Sequence, residues 1–442
     1  MLNSLRVLLQ GLAAPPTAAP ERRAHAATRG PSADPSIYER NLGFIQQNVL
    51  PPGWRLNAVQ KWDAHGHGIR EMAAAAAAAG AGSLSFLYNW EARAAAGAGG
   101  PQRLLRIKPA DYAEAAEAAR AGWGVEELVG PGNLEEVAAA ARDAGRPIGV
   151  HLYLFRHYGE PWGWDLESAT QLQEGQRRPA AEAPSASLAR LVMCCSAELA
   201  ESMDRQQLPI RGIMAHVTGY PEDEKDCLVC RFLSVACPAA RALAPARVAV
   251  HWADSTETLR TLRPDGRMRV PPEAAAGSAG GSLLGADWGS NGSSGCGGSG
   301  SRPAGGNVEF WARLGKLGFG ADPAINRERL HGGVAPVMRW EATVASIGWE
   351  DVVGQRRLVA TVDLSSTPGR YPAPSCLLRV DVTDAVAPVR PGDTVCLLGD
   401  ERGLKDLADE MGADYYNVAL CLRGSPPMEG SDWWPPSCVL PL

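Results

Sequence analysis

Lys61-Trp62-Asp63-Ala64-His65-Gly66-His67-Gly68 follows an apolar-alternating run, Leu56 to Val59, and precedes an Ala-rich stretch, Ile69 to Ala79, of strong helix propensity. That order describes a strand that ends, turns at Gly-His-Gly and returns as a helix, with the lysine at the strand's C-terminal mouth. In a (β/α) barrel, catalytic side chains project from this end. An amine there is placed to hold a carbonyl cofactor as a Schiff base. A solvated lysine at a strand end is the plainer reading of a lone Lys, but the spacing and the Gly-His-Gly turn favour the functional one.

Outward from this stretch, short apolar runs alternate with helical segments. Strands are expected at Leu56–Val59, Leu84–Tyr88, Leu104–Ile107, Val125–Val129, Ile148–Leu154, Ile210–His216, Val248–Trp252 and Ser282–Leu284, with helices at Asp111–Arg120, Leu134–Ala144 and Leu188–Met203. Eight such repeats make a (β/α)8 TIM-type barrel. The tract Gly289–Gly306 is Gly/Ser-rich and has little to bury, as in a flexible insertion or linker. Beyond Gly332, Val/Leu-rich runs at Thr343–Ile347, Leu358–Leu364, Cys376–Val382 and Asp393–Leu398 indicate a small C-terminal β domain. The expected organisation is a leader over 1–36, a barrel over 37–288, an insertion and linker over 289–331 and a β domain over 332–442.

The chain has 442 residues, 45% of them apolar, enough for two domains. A formal charge of -6 and the absence of a dense Lys/Arg block argue against a nucleic-acid partner. No apolar run reaches the roughly eighteen residues of a membrane span. The start of the chain, with four arginines and only Glu21 before Asp34 amid Ala, Pro and Ser, has the composition of an organelle transit peptide of a chloroplast or mitochondrion. The alternative is a disordered extension of a cytoplasmic protein. Cys227, Cys230 and Cys237 share a helical face, and with no second CxxC they are expected to pack as reduced thiols rather than to bind metal.

KWDAHGHG resembles the pyridoxal phosphate lysine motif of alanine racemases, KADAYGHG, at six of eight positions. Further islands follow in the family's order. Asn89-Trp90-Glu91-Ala92-Arg93 resembles a segment preceding a helix, Val150-His151-Leu152 the start of VHLKVDTGM, and Gly212-Ile213-Met214-Ala215-His216 the strand whose histidine lies near the pyridine ring. His251-Trp252-Ala253-Asp254-Ser255 resembles the HxANS phosphate motif, Gly280 to Gly285 the end of VRxGxxLYG, and Val389 to Gly399 the GDxVxLLG strand of the β domain. The resemblance implies pyridoxal 5'-phosphate as cofactor, alanine as substrate, interconversion of its L and D forms, a homodimer and no metal. Lys61 would be the Schiff-base lysine, His216 the ring neighbour, and Ser255, Gly280 and Gly281 the phosphate ligands. Taken alone, Ser255 also reads as the N-cap of a helix over Thr256–Leu262.

Several positions depart from the family. His65 replaces a tyrosine whose hydroxyl reaches the cofactor phosphate, and an imidazole can still donate there. Tyr153 replaces a lysine and Glu160 an arginine, with Arg156 nearby. Ser278 stands two residues before the glycine pair, where an arginine faces the pyridine nitrogen; Arg269 is expected to take that part across an Ala/Gly insertion. Racemisation needs proton carriers on both faces of the cofactor. In the family the second is a tyrosine of the partner subunit, yet the tail beyond Gly332 retains only Tyr371, Tyr415 and Tyr416. A racemase-derived binding protein of impaired activity is therefore the alternative.

Overall fold

The computed structural model describes residues 32–101, 103–154, 163, 203, 205–217, 220–244, 246–263, 267–269, 307–322, 327–352, 354–363, 377–383, 385, 388–400, 403–411, 415 and 418. Two units emerge. The barrel unit comprises Leu42–Lys61 and Ala76–Gly315, and the sheet unit comprises Met1–Asn41, Trp62–Ala75 and Lys316–Leu442.

The first strand, β1 (Ser32–Ala33), belongs to the sheet unit. The barrel strands are β2 (Arg55–Val59), β3 (Ser83–Phe86), β4 (Leu104–Pro109), β5 (Val125–Val129), β6 (Val150–Tyr153), β7 (Ile210–Met214), β8 (Val248–His251) and β9 (Val308–Leu314), which form one closed barrel. Each pairs in parallel with the next, and β2 closes the ring on β9. Leu105 of β4 packs with Ala249 of β8 and Trp311 of β9, while Leu128, Tyr153 and Met214 meet from β5, β6 and β7. Side chains thus fill the interior in layers, with no pore. Helices α4 (Tyr112–Ala121) and α5 (Leu134–Ala144) bury faces of Ala115, Ala116 and Ala118, and of Val137, Ala138, Ala140 and Ala141. Small side chains on these faces let the helix backbones lie close. The start of α4 is fixed by the Asp111 carboxylate, which accepts the Glu114 N–H at 2.8 Å.

Seven of the eight expected barrel strands lie where the sequence placed them; the eighth does not. Ser282–Leu284 falls outside the described residues, and the strand that closes the barrel is Val308–Leu314. The Gly/Ser tract is therefore interposed between β8 and β9, and the boundary at 288 is corrected, because hydrogen bonding of Arg55–Ala58 to Trp311–Leu314 requires the later segment. Leu188–Met203 lies almost wholly outside the described residues. In α6 (Glu222–Ala242), Cys237 is buried but Cys227 is exposed, so packing of reduced thiols in the core holds for only one end of that row. Among the described residues no helix is long and apolar enough to cross a membrane.

In the sheet unit, β10 (Met338–Val352), β11 (Gln355–Asp363) and β12 (Leu377–Asp381) run antiparallel in that order, and β13 (Thr394–Leu398) and β1 both pair with β10. All four expected tail strands are present. Ala342, Val344, Ala360, Val362, Val395 and Leu397 form one core, and Met338, Leu398, Leu404, Leu407 and Ala408 form another. Gly320 has φ +59°, and a Cβ there would lie 2.2 Å from the Ala335 carbonyl oxygen. Gly320→Ala is expected to destabilise the protein by about 3 kcal/mol or more, since the left-handed backbone and a clash with main chain add together. An unchanged urea midpoint would contradict this.

The segment after Lys61 is a left-handed turn. Trp62, Asp63, Ala64 and His65 have φ between 53° and 60°, a region L residues enter singly and seldom in series. Local bonds fasten it: Ile69 N–H donates to Asp63 Oδ1 at 2.8 Å, Gly68 N–H to the Asp63 carbonyl at 2.9 Å, and His67 Nδ1 lies 2.9 Å from the carbonyls of Ala64 and His65. The His67 ring stacks on Phe319, with centroids 4.3 Å apart.

Candidate active site

The barrel unit carries the candidate chemistry at the C-terminal ends of its strands. Lys61 follows β2 by two residues and is half-buried. Pairing continues to its doorstep, with Gln60 N–H donating to the Ser85 carbonyl at 2.8 Å, so the strand delivers Lys61 to the rim. His216 stands two residues past β7, Ser255 opens α7 (Ser255–Arg260) beyond β8, and Arg313 and Gly315 end β9.

Arg313 organises this rim. Its guanidinium is buried, and Nη2 donates to the carbonyls of Ala215 at 2.9 Å and Trp252 at 3.0 Å. Nη1 lies 3.6 Å from Met214 Sδ, and Nη2 lies 3.4 Å from His216 Nδ1. Nη2 has two N–H groups and the two carbonyls take them, so the longer contact with His216 Nδ1 is at most a shared one. Asp254 Oδ2 lies 3.8 Å from the same Nδ1. Burial pushes the Arg313 pKa down, and the charges of Asp254 and Tyr153 oppose the shift. Arg313 Nε is buried without a hydrogen-bond partner among the described residues.

The cap of α7 is Asp254, whose Oδ1 accepts the Glu257 N–H at 2.9 Å. Ser255 is thereby not used as the cap, and its Oγ accepts the Gly315 N–H at 3.0 Å. A hydroxyl and a glycine amide so placed are donors suited to a phosphate. Tyr153 is buried at the end of β6 between Leu128 and Met214.

Of the residues singled out from sequence, the structure sets His216 and Ser255 at this rim with Lys61. His65 belongs to the sheet unit, where its buried ring lies 5.1 Å from Phe319 and 6.1 Å from Tyr415. Gly280 and Gly281 lie outside the described residues, and the glycine that meets Ser255 is Gly315. Arg269 is exposed, its N–H bonded to the Thr261 carbonyl, while the neighbouring Met268 N–H bonds to Val49. The guanidinium beside His216 is that of Arg313, whereas Arg269, the arginine expected near the ring nitrogen, is exposed. Arg313 and Gly315 went unread although Arg313-Leu314-Gly315, followed by Phe319-Gly320, keeps the spacing of VRxGxxLYG. Among the described residues no group of three or more His, Cys, Asp or Glu is arranged to hold a metal.

A family model described as alanine racemase, N-terminal domain, matches residues 34–155. The chain is similar in fold to the alanine racemase of Streptomyces coelicolor A3(2), with TM-score 0.56 and 22% identity over 89% of this chain and 95% of that one. It is also similar to the enzyme of D-cycloserine-producing Streptomyces lavendulae, with TM-score 0.55 and 18% identity over 89% and 94% of the two chains. The alanine racemase of Bartonella henselae, solved with covalently bound pyridoxal phosphate, gives TM-score 0.56 and 14% identity over 90% and 97%. A search of curated proteins finds no match.

Proposed function

We propose that the chain, whose residues 34–155 match the family model of the alanine racemase N-terminal domain, is an alanine racemase-like pyridoxal phosphate enzyme interconverting L- and D-alanine. The observation that carries this reading is the rim itself: a lysine at the end of β2, with a His216–Arg313 pair and a Ser255–Gly315 pair at the ends of β7, β8 and β9. The donor set fits the cofactor. Lys61 would hold its aldehyde carbon, Ser255 and Gly315 its phosphate, and Arg313, with an orphaned N–H, its ring nitrogen. Bound pyridoxal phosphate supplies a sink for the charge left when the α-proton departs. Arg313 can only donate, so it would hold the ring nitrogen as an acceptor. Lys61 would take or return a proton at the substrate's α-carbon on its own face.

A second reading rests on the β10–β11 hairpin. Val352 pairs with Gln355, with Gly354 in the turn, and no tyrosine occurs from Met338 to Asp363. Tyr371 and Tyr416 lie outside the described residues, and Tyr415 is buried in the sheet unit beneath Lys316 Nζ, 4.8 Å from its ring centroid. With Lys61 as the lone carrier, the proton returns to the face it left. Incubating L-alanine in deuterated water separates the two readings. Deuterium entry with retention, faster than D-alanine appears, marks the one-base protein; equal rates mark the racemase and call for Tyr371→Phe as the first variant. A homodimer and organelle import through residues 1–36 complete the proposal, tested by sedimentation and by fusion of that segment to a fluorescent reporter.

A further inference from the structure

Beneath the rim, inside the barrel unit, lies a row of polar groups that the proposed reaction does not use. Arg103 of the β3–β4 connection donates from Nε and Nη2 to Glu126 of β5, both at 3.0 Å, and its guanidinium sits 4.3 Å over the Trp311 ring. Glu126 Oε2 is 2.7 Å from His151 Nε2, and His151 Nδ1 is 2.8 Å from His251 Nε2. Both imidazoles are fully buried. The arrangement is built for them. A Cβ on Gly212, the register neighbour of His151 on β7, would lie 2.1 Å from His151 Nδ1, so only glycine admits this ring.

The hydrogen-bond directions follow from the ends of the row. Burial alone would raise the Glu126 pKa, but the hydrogen bonds from His151 and Arg103 and the charge of the Arg103 guanidinium outweigh it and hold the carboxyl below its ordinary value. A carboxylate only accepts, so His151 carries its proton on Nε2. Burial lowers the pKa of His151 and lowers that of His251 well below the usual histidine range, which keeps both rings neutral. His151 Nδ1 then accepts from His251 Nε2–H, and His251 Nδ1 is left with a bare lone pair. That atom is buried without a hydrogen-bond partner among the described residues, as are Trp311 Nε1 and Arg313 Nε on the adjacent strand. The pairing of Val250 with Phe310 sets His251 beside Trp311, ring centroids 5.6 Å apart, with Arg313 one layer nearer the rim. One orphan acceptor thus stands on β8 beside a strand, β9, that carries two orphan donors. Leaving each unmet costs about 1–3 kcal/mol.

We propose that the barrel interior binds a water molecule that donates to His251 Nδ1 and accepts from the orphan N–H groups of β9, joining the Arg103–Glu126–His151–His251 row to Arg313. A buried water needs two to four polar partners, and these groups supply them. His251 becomes a positioning residue, acting on Arg313 through the water.

Two measurements on the unliganded, unmodified protein test this without cofactor or substrate, so their outcome is separate from that of the racemase reading. Nitrogen-15 spectra of histidine-labelled protein, assigned with His151→Gln and His251→Gln, are expected to show both rings neutral with the proton on Nε2. A crystal structure that resolves ordered water is expected to show one within hydrogen-bond reach of His251 Nδ1 and of Arg313 Nε or Trp311 Nε1. A proton on His251 Nδ1, or a dry site, overturns the proposal. As a functional arm, His251→Phe is expected to weaken pyridoxal phosphate binding by the cofactor-free protein about tenfold, roughly the effect of one hydrogen bond to a charged group. His251→Asn, which keeps an acceptor near the Nδ1 position, is expected to recover part of that loss. Equal weakening by both variants means a packing role only and sinks the positioning claim.

Discussion

Lys61→Ala is expected to yield a folded protein that no longer takes up pyridoxal phosphate covalently and that racemises alanine at least about a thousandfold more slowly. The lysine would both hold the cofactor and carry a proton, and loss of a general base alone costs about a hundredfold to ten-thousandfold. Its side chain is only half-buried, so the barrel core loses little. The check is borohydride reduction of the cofactor-loaded protein followed by peptide mass mapping. Unsubstituted protein should carry the pyridoxyl group on Lys61 and the variant none, with matching far-ultraviolet circular dichroism. A pyridoxyl group on another lysine in unsubstituted protein removes the basis of the functional proposal.

Arg313→Ala has the second largest expected effect, and it appears on two axes. The buried carbonyls of Ala215 and Trp252 lose their donor, and the cavity left behind adds to the cost. The loss of stability is expected to be about 3 kcal/mol or more. Cofactor affinity should fall as well, since on the proposed reading the ring nitrogen would lose its partner. Arg313→Lys separates the axes: an ammonium can satisfy one carbonyl but cannot span two carbonyls and His216 as a planar fork does. It is expected to recover some stability in urea unfolding of the cofactor-free protein, yet little affinity for pyridoxal phosphate. A lysine variant that bound cofactor as tightly as the unsubstituted protein would show that Arg313 does not face the ring.

Much of this architecture is written in local pattern. Strands such as Leu56–Val59 and Val125–Val129 are short apolar runs between helix-forming stretches, and Lys61 announces itself because a strand, a lysine and a Gly-His-Gly turn occur in succession. The last barrel strand was misplaced for a physical reason. Gly280 to Gly285 lies close behind β8 in sequence, whereas closing a loop over a longer stretch of chain adds little free energy. Proximity along the chain is therefore a poor guide to which segment fills the gap beside β2. Val308–Leu314 had the better strand composition, with Val, Phe, Trp and Leu broken only by Glu309, Ala312 and Arg313. The interior row from Arg103 to His251 was invisible for a different reason. Its members come from separate strands and meet only when the sheet closes on itself, and Gly212 reads as one more residue of the strand Ile210–His216 until the ring it accommodates is seen beside it.

The left-handed turn past Lys61 also makes this stretch the place where the protein gives way first. Four L residues in that region cost about 1–2 kcal/mol each, a sum comparable with the whole net stability of a domain, about 5–15 kcal/mol. The segment is a wound spring, and its latches are the Asp63 carboxylate on the Ile69 N–H and the His67 ring on Phe319. In mild denaturant such a spring should uncoil at a free energy below that of global unfolding. A protease would then nick the chain between Trp62 and His65 while the barrel strands still resist it. The amine at position 61 would lose its fixed aim before the fold is lost, so inactivation runs ahead of melting.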